Sequence, residues 1–452
     1  CCCGEPAQVF DQLARLFPNA PRTTAQSYPF LPDAADAAAC AIRTGQAEAS
    51  LSPVVQQAVF ELKRRAEYRF SPLSKSAVQG LYGAELRLSA SRIDRFAACR
   101  YAFFLSDGLK AKPWKRAKFD APVFGTFVHY VLECTLRELQ PLGGPAAVDD
   151  ARLHETAQRH AENYVNEFMP DLAARGNRSS YLFRRNFDEV MQVVDDVARE
   201  LRLSDFSARD MELSFHDGGS LPAVRVDGSA GRCVISGSVD RVDLYERGGR
   251  YYCRVIDYKT GVKDFDYAGV LCGEGLQMLI YLFALRRFGM DYYGKPVEPV
   301  GVLYVPARAA MERVDPGADE RKIEAARAAN RRRSGLVIDD EALLHAMERQ
   351  EQPEYLPCKW QKSGLTGDIA SRIQFSELEH FVQDKIAGMT DEIFGGNVTP
   401  NPIVRGPQVS SCQFCDYYAA CHRDLGQQEA RTIRKVSAEK FWTQVDGGAD
   451  HG

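Results

Sequence analysis

The chain has 452 residues, a length that predicts two or three domains at roughly 150 residues each. Hydrophobic residues make up 45% and charged residues 26%, globular values that give a sizeable core without disulfide staples. A net charge of −4 excludes a uniformly basic nucleic-acid coat but not a local basic channel, and with no run of 18 apolar residues no membrane span or membrane partner is expected. The chain starts Cys1-Cys2-Cys3, with neither Met nor a signal peptide, and is read as a fragment whose upstream part is missing. Without a secretory signal the expected compartment is the reducing cytoplasm. There, grouped cysteines among the 13 are more often metal ligands or buried thiols than disulfides.

In chain order, residues 1–86 read as mostly helical, with residues 54–68 periodic and Pro18, Pro21, Pro29 and Pro32 breaking the start into short pieces. Ser89 or Ser91 is a candidate cap for a helix through Ile93 and Phe96. Residues 110–118 (KAKPWKRAK) are strongly basic around Trp114. A helix is expected over 125–140, and residues 151–203 read as helical. Three strand-like runs follow at 233–238, 241–245 and 251–258, rich in β-branched and aromatic residues and separated by Gly turns. A helix over 275–288 and a strand over 299–305 come next. Residues 308–343 read as a charged insertion or flexible helix. The chain closes with a Cys-rich knot at 412–421 and a polar tail over 431–452.

The most informative segment is Val255-Ile256-Asp257-Tyr258-Lys259-Thr260-Gly261, an apolar strand that ends in an acid with a Lys two positions later. The two-residue period of a strand puts Asp257 and Lys259 on one face. Such a pair is costly to bury unless it pairs or binds something. A second acid, Asp240, ends the run Ile235-Ser236-Gly237-Ser238-Val239. Two strand-borne acids suit a hard divalent cation, and a lysine beside them can orient water or stabilise charge developing on a phosphate. Taken alone, Asp-x-Lys is a surface strand pair with a local salt bridge. Three residues shift that balance. His129 lies on an apolar-rich helix with Glu133 one turn later, and Gln277 and Tyr281 share a helix face at i and i+4. Glu212 and Glu133 are further acids near these motifs; Glu212 can lie on a strand edge by the site, and solvated glutamate is an equal reading for both.

This ordered set resembles the RecB-type nucleases of the PD-(D/E)XK superfamily. Their pattern is G-x-x-x-H, G-x-x-D-R-[IV]-D, [IV]-D-[YF]-K-[TS]-G and Q-x-x-x-Y. It is matched in order by Gly125 to His129, Gly237 to Asp243, Ile256 to Gly261 and Gln277 to Tyr281. The resemblance implies an α/β fold with a restriction-endonuclease-like core, a mixed central sheet flanked by helices. It also implies Asp240, Asp257, the backbone carbonyl of Tyr258 and His129 as ligands of Mg2+ (or Mn2+), and Lys259 as the catalytic lysine. Gln277 and Tyr281 would order the site and contact the DNA strand.

Cys412-x2-Cys415-x5-Cys421 offers three thiolates, one short of a four-coordinate site. His422 is adjacent to Cys421, an awkward pair for one metal. Cys99 is the better candidate, although it stands 313 positions upstream of Cys412. Spacing alone does not separate zinc from iron–sulfur. Both segments resemble the staple of one subset of these nucleases, which implies a [4Fe-4S] cluster held by Cys99, Cys412, Cys415 and Cys421. Closing so long a loop constrains the unfolded chain, so a structural role is expected. Cys134, Cys233, Cys253 and Cys272 read as buried thiols.

Residues 289–295 have P-loop spacing, but Pro296 stands where Ser or Thr should hold magnesium, so no ATP site is expected. Arg331-Arg332-Arg333 reads as a solvated face, whereas residues 110–118 have a better claim to DNA, with Trp114 able to stack on a base. Within the class, residues 80–430 most resemble the AddB family of bacterial helicase–nuclease subunits. That resemblance implies residues 1–86 as a helical remnant of a helicase-like region, residues 87–430 as the nuclease domain, and an AddA-like ATP-driven subunit as partner. It further implies single strands from unwound duplex ends as substrate, in processing double-strand breaks for recombinational repair. Two alternatives stand beside it: a stand-alone CRISPR-associated type of iron–sulfur exonuclease, and an inert DNA-end-binding scaffold.

Overall fold

One 16-residue strand organises the molecule. The computed structural model describes residues 15–16, 18, 31–66, 70–112, 121–168, 177–261, 263–308, 319, 326, 329–406, 409–421 and 430–446. Ahead of the sheet come helices α1 (Leu31–Thr44), α2 (Pro53–Ala66) and α3 (Lys75–Tyr82). The first two share a small core of Ala34, Ala38, Val55 and Val59, separate from the main one. Strand β1 (Glu85–Ser89) then leads into helix α4 (Ala90–Ala98). Helices α5 (Ala121–Leu139), α6 (Asp150–Phe168) and α7 (Asn177–Arg202) precede β2 (Ser207–Phe215), β3 (Val224–Asp227), β4 (Arg232–Arg247) and β5 (Arg250–Lys259). Helices α8 (Tyr267–Cys272) and α9 (Gln277–Tyr293) lead to β6 (Val297–Pro306) and β7 (Ser334–Ile338).

The eight-stranded mixed sheet runs β1-β4-β5-β6-β7 and on to the short strand Ile369–Ala370, with β2 and β3 also pairing β4. β1 is parallel to β4, β5 is antiparallel to it, and β6 is parallel to β5. Helix α9 and the long helix Arg372–Phe394 pack on one face, and α5 on the other with α6 and α7 against it. The strands are apolar on both sides, as a sheet covered on two faces requires.

The runs at 233–238 and 241–245 are one strand, not two. Gly237 lies inside it, as within the expected run 233–238. The turn in this region is Gly248-Gly249, with φ of +62° and +75°, a two-residue hairpin between Arg247 and Arg250. What Gly237 provides is space: a Cβ there would stand 1.8 Å from the Tyr281 hydroxyl. The charged stretch 308–343 holds β7 and the start of the helix Glu341–Met347 rather than a flexible helix alone. Its apolar Leu336, Val337 and Ile338 join the sheet interior. Arg333 is fully buried, contrary to a solvated face, while residues 289–293 are the end of α9 and Lys295 pairs with Glu246.

The expected polar tail holds regular structure among its described residues. Arg431–Ile433 joins a three-stranded sheet with Ile403–Arg405 and Val409–Ser410, and the helix Ala438–Asp446 buries Phe441, Trp442 and Val445. Its apolar residues recur every three to four positions, a signal that the surrounding charges obscure. Among the described residues no helix is long and apolar enough to cross a membrane.

Candidate active site

The site opens where β4 changes neighbours. β4 pairs β1 up to Ser236, and its pairing with β5 begins only at Arg241 opposite Ile256. Between them β4 and β5 splay apart, so the main chain of Tyr258 must find other partners. Its N–H donates to Asp240 Oδ2 at 2.8 Å, and its carbonyl lies 2.9 Å from His129 Nε2. Helix α5 brings His129 over the strand ends, with Nδ1 3.5 Å from Asp240 Oδ2. Asp257 is 2% exposed, and its Oδ2 makes no aligned hydrogen bond although Lys259 Nζ lies 2.7 Å away. The expected residues His129, Asp240, Asp257, Tyr258 and Lys259 therefore converge.

Tyr281 lies beneath them, buried and stacked on Phe215 with ring centroids 5.1 Å apart. Gln277, half-buried, opens α9 one turn earlier. The Gly275 N–H just ahead of α9 donates to Asp94 Oδ1 at 2.9 Å, fixing the approach of that helix from α4.

Glu212 also belongs to the site. Its Oε1 is 3.8 Å from His129 Nδ1, and Ser238 Oγ donates to its Oε2 at 3.1 Å. His129, Glu212 and Asp240 each offer an atom within 4.8 Å of the others. Glu212 has φ of +51°, a left-handed conformation that a glutamate adopts only under constraint. A register shift between Ala208 and Asp210 precedes it, and Asp210 is held by the hydroxyls of Tyr292 and Tyr293. The signal in the sequence was weak: an acid between apolar residues of a strand, with nothing to reveal its turned backbone. Glu133 instead pairs with Arg137 one turn on, at 2.8 Å.

The electrostatics mark a site built for positive charge. Burial, then the nearby Asp257, pushes the Asp240 carboxyl up to about 7. Burial opposes a charged His129, but Glu212 and Asp240 outweigh it and lift the imidazole to about 9. The imidazole in turn holds Glu212 below the usual carboxylate range. Glu212 and Asp240 cluster with His129 and offer the oxygens a hard divalent ion takes; Asp257, whose buried Oδ2 has no aligned hydrogen bond, lies beside this group of three and not within it.

The four expected cluster cysteines lie together. Cys99, Cys412, Cys415 and Cys421 line one cavity of about 470 Å³ and form no disulfide among the described residues. Among the described residues no three of their sulfurs lie mutually within 4.8 Å. A tetrahedral zinc–thiolate site with bonds of about 2.3 Å would need separations of about 3.8 Å. Arg100 forks onto Glu392 at 3.0 and 2.7 Å, and the Arg431 guanidinium caps the carbonyl of Ala97, so the ends of this region are pinned. Cys233 and Cys253 are buried as expected; Cys134 and Cys272 are half-exposed. Cys1, Cys2, Cys3, Trp114 and His422 lie outside the described residues.

A family model described as the PD-(D/E)XK nuclease superfamily matches residues 87–422, and the chain belongs to that superfamily. It is similar to an ATP-dependent helicase/deoxyribonuclease subunit of Moorella thermoacetica, 31% identical over 365 residues, covering 78% of this chain and 31% of that protein. Proteins of the same name from Acetivibrio thermocellus (28% over 380 residues, 82% and 33% covered) and Clostridium botulinum strain Loch Maree (27% over 377 residues, 81% and 32% covered) are also similar. The chain spans about a third of the length of these curated relatives.

Proposed function

We propose that this chain is the nuclease part of an AddB-type subunit. It would be a metal-dependent deoxyribonuclease that hydrolyses phosphodiester bonds in single strands from unwound duplex ends. The observation that carries the reading is the convergence of His129, Asp240, Asp257 and Lys259 at one splayed strand end, with a buried Asp257 oxygen lacking an aligned hydrogen bond. Asp240, Asp257, the Tyr258 carbonyl and His129 would hold Mg2+ or Mn2+, with Glu212 as a further oxygen donor. Bound there, the ion supplies Lewis acidity toward the phosphate and a lowered pKa for its water. Lys259 places a cation beside Asp257, where negative charge develops on the phosphate. Tyr281 backs the two acids from beneath, and Gln277 faces the DNA strand.

The similarity to helicase/deoxyribonuclease subunits supports an AddA-like ATP-driven partner, a cytoplasmic setting and a role in processing breaks for recombinational repair. Residues 87–430 are then the nuclease domain, and residues 1–86 the end of a helicase-like part. The long relatives weigh against a stand-alone exonuclease, and the intact acids and lysine against an inert scaffold. Cys99, Cys412, Cys415 and Cys421 would hold a [4Fe-4S] cluster in a structural role, a reading supported by their gathering around one cavity. The test is Asp257→Ala: magnesium-dependent degradation of single-stranded DNA should be lost, and unchanged degradation would refute the assigned site.

A further inference from the structure

On the opposite face of the sheet from the acids, three arginines are fully buried: Arg241, Arg254 and Arg333. Strand alternation explains the separation. Asp240 on β4 and Asp257 and Lys259 on β5 point to the site, while Arg241 and Asp243 on β4 and Arg254 and Tyr258 on β5 point away. Asp243 is the hinge of the network. It accepts from Arg241 Nε at 2.8 Å and Nη2 at 3.0 Å, and from Arg254 Nε at 2.9 Å. Glu200 of α7 stands 3.4 Å from Arg254 Nη2 and 3.6 Å from Arg241 Nη2. Arg333 donates to Glu200 Oε2 at 2.9 Å and to Asp196 Oδ2 at 2.6 Å. Three cations thus meet three anions.

Buried ion networks seldom stabilise more than a well-packed apolar core would, so their retention calls for another role. Here the network reaches the site through one residue. Arg241 Nη1 donates to the Tyr258 hydroxyl at 2.8 Å. The main chain of that same Tyr258 meets Asp240 through its N–H and His129 through its carbonyl. Its ring is anchored by Arg241 and packs edge-on against the His129 imidazole at 5.7 Å between centroids, while its peptide groups orient two expected ligands.

We propose that Arg241 and Asp243 are positioning residues: backed by Arg254, Glu200 and Arg333, they lock the Tyr258 ring and thereby set the relative geometry of Asp240, His129 and the Tyr258 carbonyl. The proposal rests on the reading of these groups as a divalent-metal site. It accounts for the acid and arginine that follow Asp240 in the Asp-Arg-Val-Asp run, neither of which reaches the site itself.

The experiment measures Mn2+ binding by electron paramagnetic resonance on the purified chain, with thermal melting of the same samples. The variants are Tyr258→Phe, which removes only the hydroxyl, a double variant Arg241→Gln/Asp243→Asn, which keeps the network neutral, and Asp257→Asn. The expected result is a Kd for Mn2+ raised ~10-fold or more in Tyr258→Phe and in the double variant, the range found when groups supporting metal ligands are removed. Folded variants with wild-type Mn2+ affinity would overturn the proposal, even if their melting temperatures fell, because the network would then serve stability alone. If the double variant fails to fold, Tyr258→Phe decides. Asp257→Asn separates the two layers of inference. Loss of Mn2+ binding there with unchanged binding in the other variants refutes positioning only. Wild-type binding by Asp257→Asn refutes the metal-site reading and the proposal with it.

Discussion

Replacing Gly237 with alanine tests the packing that seats the site. The added Cβ would stand 1.8 Å from the Tyr281 hydroxyl oxygen and 2.8 Å from its Cζ, where real Cβ contacts do not fall below 3.0 Å. Tyr281 must then withdraw by about 1.2 Å, and it is buried, stacked on Phe215 and next to both acids. Overpacking of this kind costs about 1–3 kcal/mol in stability. A displacement of roughly 1 Å among positioning groups costs on the order of 100-fold in rate, or about 2.7 kcal/mol of barrier. The expected result for Gly237→Ala is therefore a lower Tm together with a ~100-fold fall in kcat/KM on single-stranded DNA. Adding Tyr281→Phe removes the 1.8 Å conflict and leaves only the 2.8 Å contact. The double variant should recover most of the lost Tm, with a coupling of about 1–2 kcal/mol between the two positions. A Gly237→Ala protein with wild-type Tm and kcat/KM, or a double variant showing no coupling, would refute the reasoning.

Asp240, raised to about 7 by burial and by Asp257, and His129, lifted to about 9 by Glu212 and Asp240, must both lose a proton to bind metal. At limiting Mg2+ the cleavage rate should fall as pH drops from about 9 through about 7, and raising Mg2+ should move that fall to lower pH. Glu200 is shifted the other way: despite its burial, Arg333, Arg241 and Arg254 hold it at about 2 against an ordinary 4.5. Its contribution to stability is complete above pH 4.5 and is lost as pH falls toward 2, so Tm should drop across that window in wild type and less in Glu200→Gln. Asp243→Asn alone leaves two buried guanidiniums short of an anion. It should cost about 3–5 kcal/mol by denaturant unfolding, more than the neutral Arg241→Gln/Asp243→Asn pair. Protein purified without oxygen should be brown and carry about four irons, and Cys412→Ser should lose both colour and Tm; an iron-free, colourless preparation would contradict the cluster.

The strand-borne acids, the lysine and the helix with Gln277 and Tyr281 were legible because each pattern is local: a two-residue period on β5 and a four-residue one on α9. The grouping of Cys99 with cysteines 313 positions away rested on resemblance, since no spacing rule reaches that far. Three features escaped the pattern for physical reasons. Gly237 stands inside an expected strand, but that its missing Cβ makes room for Tyr281 depends on a helix from later in the chain, which no local pattern shows. Glu212 reaches the site through a left-handed residue behind a register shift, which breaks the alternation that strand reading relies on. Arg333 belongs to a charged run and yet is buried, because its partners Asp196 and Glu200 come from a helix more than 130 positions earlier.

The central claim is that Lys259 and the acids beside it cut DNA. It is tested most directly by comparing wild type with Lys259→Ala on end-labelled single strands in Mg2+. Lys259 is half-exposed and among the described residues its ion pair is with Asp257 on its own strand face, so the variant should fold normally. The account predicts that Lys259→Ala keeps the wild-type Tm and loses at least ~100-fold of the cleavage rate, the usual loss when one charge-stabilising group is removed. A folded Lys259→Ala protein that degrades the strand at the wild-type rate would contradict it.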